Sequence, residues 1–278
     1  MRLETPELIV TTTNKANREA VDAAHALAAR YGLRFVSRES VKITDNGGAG
    51  SGVNAFSNLQ EISPPLFLIV GNEQLFLQTP SGKYHFHPGM AALRVKRLVA
   101  GETDTMVSAM GLRPGDAVLD CTLGLGGDAI VAGHAVGDAG RVVGLESVLS
   151  LAILVKEGLA HYHFGYREID EAMRRVTAHH ASNHDYLARL PDRSFDVVYF
   201  DPMFRVTVNT SQGMVPLREL GNPGRVTKEL VAQARRAARR RVVLKERRGS
   251  AEFARLGFTN LAGGRSNHIA YGYIERND

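Results

Sequence analysis

A single cysteine, Cys121, stands in a chain of 278 residues, so no internal disulfide can form and a reducing cytoplasm suits the protein best. Long apolar runs are missing as well. The stretch from Pro64 to Val70 is far short of the ~20 residues that a membrane-spanning helix needs. The opening residues Met1-Arg2-Leu3-Glu4-Thr5 lack the apolar centre of a secretion signal. Five histidines (His161, His163, His179, His180 and His184) come with neither partner cysteines nor an H-E-x-x-H pattern, so no metal site is expected. No internal repeat is visible. With 44% hydrophobic and 23% charged residues, the composition is that of a globular protein able to bury a sizeable core.

Acidic residues are scarce in one place. Net charge is +5, but between Arg225 and Arg248 ten basic residues (Arg225, Lys228, Arg235, Arg236, Arg239, Arg240, Arg241, Lys245, Arg247 and Arg248) face only Glu229 and Glu246. Alone, this is a solvated helix face. Beside a site that modifies a base, it reads as phosphate attraction.

The chain divides by rhythm. A strand-like run from Glu7 to Thr13 precedes a helical pattern over 16–30, which stops before Gly32, and Leu33 to Val36 reads as a second strand. Asp45 to Asn58 is rich in Gly, Ser and Asn and reads as a loop. Leu66 to Val70 and Gln74 to Gln78 flank Gly71-Asn72-Glu73 as a hairpin. From Asp116 onward, short apolar strands (117–121, 142–145, 176–179, 195–200, 242–245, 258–261 and 268–273) alternate with helical segments. This alternation predicts an α/β fold, a mostly parallel seven-stranded sheet with helices on both faces. A smaller α+β domain over 1–88 precedes it; the second domain is expected over 89–278, with a helical lead-in over 89–115. In such sheets the ligand lies beyond the carboxyl ends of the strands.

The first of these strands runs into Asp120-Cys121-Thr122-Leu123-Gly124-Leu125-Gly126-Gly127-Asp128. Gly124 and Gly126 allow a sharp turn and close approach of a ligand. Glu146, at the end of the second strand, is placed to accept hydrogen bonds from ribose hydroxyls. Gly124-x-Gly126-x-x-Ala129 also fits a relaxed dinucleotide fingerprint, and charge separates the two readings. A pyrophosphate wants a helix N-terminus free of acids, yet Asp120 and Asp128 flank this one. Like charges ~4 Å apart cost about 4 kcal/mol at an effective dielectric near 20. S-adenosylmethionine, with its sulfonium and ammonium, meets these acids favourably, so it is the expected cofactor, with Asp120 pairing the amine. Asp128 also fits as a plain helix-start acid, and Thr122 as either a loop cap or a contact to the methionyl carboxylate. Cys121 reads as a small buried hydrophobe. After the third strand, Ser182 and Asn183 are expected to read the adenine, with Asp185 as a substitute acceptor.

The fourth strand ends directly in Asp201-Pro202-Met203-Phe204. The pattern matches the [DNS]-P-P-[YF] type of amine-methylating site, with Met203 in the second proline position. An exocyclic base amine is a poor nucleophile because its lone pair is delocalised into the ring. Asp201 is expected to orient the N–H bonds, Pro202 to stiffen the turn and Phe204 to stack the base, at ~1–3 kcal/mol.

These residues resemble the RsmJ-type small-subunit ribosomal RNA guanine-N2 methyltransferases. The segment from Asp120 to Ala129 is similar to that family's D-[LA]-T-A-G-L-G-R-D-A, Asp201 to Phe204 to its D-P-M-F, Val242 to Lys245 to its V-V-V-K, and Gly89 to Arg97 to its G-A-M-A-H-R-R-K. The resemblance implies a Rossmann-like class I methyltransferase fold, with cofactor contacts at Gly127, Asp128, Glu146, Ser147, Ser182, Asn183 and Asp201. Gly127 stands where the family has arginine, and the residues after Phe204 depart from its basic stretch. The expected activity is S-adenosylmethionine-dependent methylation of an exocyclic base amine, guanine N2 in ribosomal RNA first. Arg94, Lys96, Arg97 and the arginines near 235–241 are expected to hold phosphates, and Lys245 to face the substrate. An RNA-binding protein that keeps the fold without catalysis and a nicotinamide-dependent oxidoreductase are the alternatives.

Overall fold

The computed structural model describes residues 6–41, 65–80, 82–202, 225–263 and 268–276. The loop expected over 45–58, and Phe204 with the residues that follow it, lie outside the described residues. The chain forms two compact units that part between Phe86 and His87.

In the first unit, β1 (Leu8–Thr12) leads into α1 (Arg18–Tyr31), followed by β2 (Arg34–Phe35), β3 (Leu66–Val70), β4 (Leu75–Thr79) and β5 (Gly82–His85). The helix starts where the Asn17 side chain accepts the Ala20 N–H at 2.9 Å and stops at Gly32, whose φ of 64° suits a residue without Cβ. Ala20, Ala24, Leu27 and Ala28 share its buried stripe. The sheet runs β2-β1-β3-β4-β5; β1 is parallel to β2 and β3, and the last three strands form antiparallel hairpins.

The second unit begins with α2 (Met90–Val99) and α3 (Thr105–Met110). It continues through β6 (Ala117–Asp120), α4 (Gly127–Val136), β7 (Arg141–Glu146), α5 (Leu149–His161), α6 (Arg167–Arg174), β8 (Val176–His180), α7 (Asn183–Arg189) and β9 (Phe195–Phe200). It closes with α8 (Lys228–Ala237), β10 (Ala238–Arg247), α9 (Ala251–Leu256), β11 (Asn260–Ala262) and β12 (Ile269–Glu275). Its seven strands lie in the order β11-β12-β10-β9-β6-β7-β8, parallel except where β12 runs against β10 and β11. The predicted Rossmann-like α/β class is therefore the observed one. One face of the sheet packs Leu187 of α7, Leu230, Val231 and Ala234 of α8, and Phe253 and Leu256 of α9 onto Leu119, Val198 and Leu244. Helices α4, α5 and α6 pack against β6, β7 and β8. Strand order reverses between β6 and β9, and such a switch opens a crevice at the carboxyl ends of those two strands. Among the described residues, no helix is long and apolar enough to cross a membrane.

The arginine cluster departs from expectation. Ala238 pairs with Phe195 at the start of β9, and Leu244 with Phe200 at its end, so residues 235–241 lie at the opposite end of the sheet from Asp201. Several of these arginines are engaged in holding the fold. Arg236 donates to the Leu187 and Leu190 carbonyls and Arg239 pairs with Asp196 at 3.2 Å. Arg240 pairs with Asp116 and donates to the Gly111 carbonyl, and Arg241 binds the Ala109 carbonyl and Glu275. Guanidinium groups here satisfy helix-end carbonyls and neighbouring carboxylates.

Helices α4 and α6 meet closely at Gly133, where an added Cβ would lie 2.6 Å from the Ala172 carbonyl oxygen. Alanine gains about 1 kcal/mol over glycine inside a helix, but overpacking against rigid backbone costs ~1–3 kcal/mol. Gly133→Ala is therefore expected to lower the thermal midpoint by several degrees. Gly127→Ala, whose Cβ would meet nothing within 4 Å, is the matched control and leaves it unchanged or raised.

Candidate active site

At the carboxyl end of β6, Asp120 is only 3% exposed. Its Oδ1 accepts the Thr122 backbone N–H at 2.9 Å and the Thr122 hydroxyl at 3.3 Å, and its other oxygen has no hydrogen-bond partner among the described residues. Burial pushes this carboxyl up to about 7. The Thr122 hydroxyl also accepts the Asp201 N–H at 2.6 Å, which ties the ends of β6 and β9 together. Thr122 is thus a bridge between two acids.

The glycine loop turns through Gly124 and Gly126, with φ of 52° and 80°, values that favour glycine. The Gly124 N–H donates to Glu146 Oε2 at 3.2 Å, and Glu146 Oε1 accepts the Val148 N–H at 2.9 Å. Burial raises the Glu146 carboxyl while these backbone donors oppose the rise. Each oxygen keeps a lone pair for a ribose hydroxyl. Ser147 presents its carbonyl to His180 Nε2 at 3.1 Å. Ser182 caps α7, and Asn183 reaches back from α7 to the Cys121 carbonyl at 3.3 Å. The third-strand loop and the glycine loop are therefore side by side. Gly127 opens onto space where an added Cβ would meet nothing within 4 Å.

Asp128 is the hub of a buried ion network. Its Oδ1 accepts Arg94 Nη1 at 2.5 Å; its Oδ2 accepts the Tyr199 hydroxyl at 2.7 Å and Lys245 Nζ at 2.9 Å. Although burial pushes upward, Lys245 and Arg94 hold this carboxyl down at about 2. Both oxygens are thus engaged within the protein, a role in the network that the sequence reading of Asp128 did not include. Lys245 donates equally to Asp201 Oδ2 at 2.7 Å. Burial and the charge of Asp128 lift the Asp201 carboxyl to about 6 in spite of Lys245. Arg94 completes the chain with a bidentate bond to Asp104 at 2.8 and 2.9 Å, a strong and directional pairing.

Arg94 and Lys245 are consequently not outward cations waiting for phosphate or substrate: their side chains are 22% and 19% exposed and matched by carboxylates. Lys96 and Arg97, on the same helix, do face outward. Lys96 Nζ sits 5.2 Å over the Tyr166 ring and 5.4 Å over Phe164, and Arg97 lies 4.0 Å from Glu102. Pro202 follows Asp201 at the end of β9, half-buried. Three members of the network were not anticipated: Asp104, Tyr199 and Tyr271. Asp104 carries only a helix-cap signal before Thr105-Met106, and Tyr199 a polar tip inside an apolar strand. Tyr271 is paired across the sheet with Lys245, and burial lifts its phenol to about 12.

Three carboxyl groups (Asp104, Asp128 and Asp201) thus share two cations, Arg94 and Lys245, while Asp120 and Glu146 accept only neutral backbone and hydroxyl donors. Buried acids in such excess seek positive charge. The free oxygen of Asp120 suits an α-ammonium and Glu146 a ribose, so the residues present fit S-adenosylmethionine.

Comparison with known proteins agrees. Residues 63–258 match the family model SAM_MT, "Putative SAM-dependent methyltransferase". YpiP of Bacillus subtilis, an uncharacterized protein, is 36% identical over 268 residues, spanning 96% of this chain and 99% of the relative. The crystal structure of a SAM-dependent methyltransferase from Neisseria gonorrhoeae aligns with a TM-score of 0.62 at 17% identity, over 96% of this chain and 95% of that one, a likeness of fold.

A buried acid titrating near 7 makes cofactor binding pH-dependent. Below that value Asp120 is neutral and offers the ammonium little; above it the charge is present. The dissociation constant for S-adenosylmethionine, measured by calorimetry, is expected to fall close to tenfold per unit as pH rises toward 7 and then to level off. Asp120→Asn weakens binding by about 1–3 kcal/mol and flattens this dependence.

Proposed function

We propose that this chain, which belongs to the SAM-dependent methyltransferase family, methylates an exocyclic amine of a nucleic-acid base, with guanine N2 of ribosomal RNA as the first substrate to test. One observation carries the reading. Asp201, directly after β9, is joined through its own N–H and the Thr122 hydroxyl to Asp120, so an acid suited to the cofactor amine and an acid suited to a target amine are two hydrogen bonds apart.

S-adenosylmethionine, when bound, supplies an electrophilic methyl group on a sulfonium that departs as a neutral thioether. The protein's task is then mainly alignment. Asp201 accepts an N–H of the amine and directs its lone pair, and a carboxyl lifted to about 6 is well matched to take the proton that the amine sheds. Pro202 stiffens the chain at that point. Phe204 is assigned the stacking surface for the base. Asp120 holds the cofactor's ammonium, Glu146 its ribose, Ser182 and Asn183 its adenine side, and Gly127 and Ser147 line the same loops.

RNA is favoured by the resemblance of Asp201-Pro202-Met203-Phe204 and Val242 to Lys245 to enzymes that act on small-subunit ribosomal RNA, and by net charge of +5. Lys96 and Arg97, exposed on α2, are the phosphate contacts in this reading. The catalytic domain runs over 89–278 and works in the cytoplasm, where a buried unpaired cysteine is at home.

Purified protein given methyl-labelled S-adenosylmethionine and total RNA is expected to label the RNA, with N2-methylguanosine as the product nucleoside. Asp201→Ala slows transfer by about 100-fold or more, roughly 3 kcal/mol of transition-state stabilisation, while cofactor affinity stays within a few-fold. Transfer at full rate in that variant, or label found in no nucleic acid, removes the proposal.

A further inference from the structure

We propose that Arg94 is a positioning residue for the transfer step, acting through Asp128 and Lys245 to keep the Asp201 carboxylate charged and in place. The role in transfer rests on the function proposed above; the electrostatic relay itself does not.

The geometry is a chain of four charged contacts across five parts of the fold. Asp104, at the start of α3, grips the Arg94 guanidinium from two sides; Arg94 of α2 reaches Asp128 of α4 at 2.5 Å; Asp128 meets Lys245 of β10 at 2.9 Å; and Lys245 meets Asp201 after β9 at 2.7 Å. Lys245 thus stands between two carboxylates with one ammonium to share. What decides its allocation is how well Asp128 is satisfied by its other partners, Arg94 and the Tyr199 hydroxyl. The groups that face Asp201 are Lys245 and Glu246 from β10, Asp128 from α4, Asp120 from β6 and Tyr199 from β9, with Tyr271 of β12 behind Lys245. Lys245 alone among these is cationic, so any shift of Lys245 toward Asp128 leaves Asp201 among acids.

Two substitutions away from the reacting atoms then act with opposite signs. Arg94→Met removes one of two cations from Asp128, draws Lys245 toward it and favours the protonated form of Asp201. Asp104→Asn releases Arg94 from its competing carboxylate, satisfies Asp128 more fully and frees Lys245 for Asp201. A residue with a purely structural role would lower activity or stability in both cases without moving a titration in two directions.

The experiment measures the acid limb of the pH–rate profile for RNA methylation. In parallel it follows the Asp201 carboxyl carbon by NMR in protein carrying carbon-13 in aspartate, the signal being identified by its loss in Asp201→Asn. Arg94→Met is expected to move both titrations upward by about one pH unit, so that transfer below the midpoint falls about tenfold relative to that at pH 8. Asp104→Asn moves them downward, and Arg94→Lys, which keeps the charge without the fork, restores much of the Arg94→Met shift. Affinity for S-adenosylmethionine at pH 8 stays within a few-fold in all three. Unchanged Asp201 titration in both Arg94→Met and Asp104→Asn, or movement in the same direction, overturns the proposal. Should Arg94→Met fail to fold, Asp104→Asn and Arg94→Lys decide it by the same readout. If the wild-type protein labels no RNA, the proposed substrate is wrong, and the carboxyl titration still decides the relay.

Discussion

Charge that has been taken out of water must be matched inside the protein, and in this structure the matching is done around one carboxylate. Asp128, at the start of α4, receives hydrogen bonds from Arg94, Tyr199 and Lys245. Those partners come from α2, β9 and β10, so a single side chain fixes how a leading helix, the glycine loop and two central strands come together. A buried ion pair of this kind adds little net stability over an apolar cluster, but removing one partner is expensive, ~3–5 kcal/mol, because it strands the other charge. The network is therefore better understood as a device for geometry than as a source of stability. It also leaves the crevice short of positive charge, a shortage that a sulfonium cofactor with a free ammonium is suited to relieve.

The topology of the sheet explains why the network is where it is. Strand order reverses between β6 and β9, so the chain diverges there and leaves Asp120 and Asp201 side by side, joined through Thr122. Positive charge is divided along the same axis. At the far end, Arg236, Arg239, Arg240 and Arg241 bind carbonyls and acids of neighbouring elements and serve the fold. At the near end, Arg94 and Lys245 are held by acids and serve the site. Two residues six positions apart on one strand, Arg239 and Lys245, thus have unrelated tasks because a strand carries them roughly 20 Å from one end of the sheet to the other.

Much of the architecture could be read without the structure. The seven strands of the second unit, a helix over 16–30 that stops before Gly32 and the hairpin around Gly71 all follow from signals a few residues long: alternation and glycines. Asp120, the loop glycines, Glu146 and Asp201 were legible for a related reason, since each sits at a strand end and the ends of parallel strands are where ligands bind. Asp104, Tyr199 and Tyr271 were not, and Arg94, Lys245 and the arginines at 235–241 were assigned partners outside the protein. A basic side chain looks alike in sequence whether it meets a phosphate, a carbonyl or a buried acid.

Sequence alone therefore determined what depends on neighbours along the chain: which segments are strands or helices, where they turn, and which acids close the strands. Tertiary structure decided what depends on neighbours across it. Arg94 and Asp128 are 34 positions apart, and Lys245 and Asp128 are 117 apart; no local pattern encodes such a meeting. Only the folded sheet brings those charges within hydrogen-bonding reach, and at that distance, away from bulk water, electrostatics sets the role of each side chain more firmly than its residue type does.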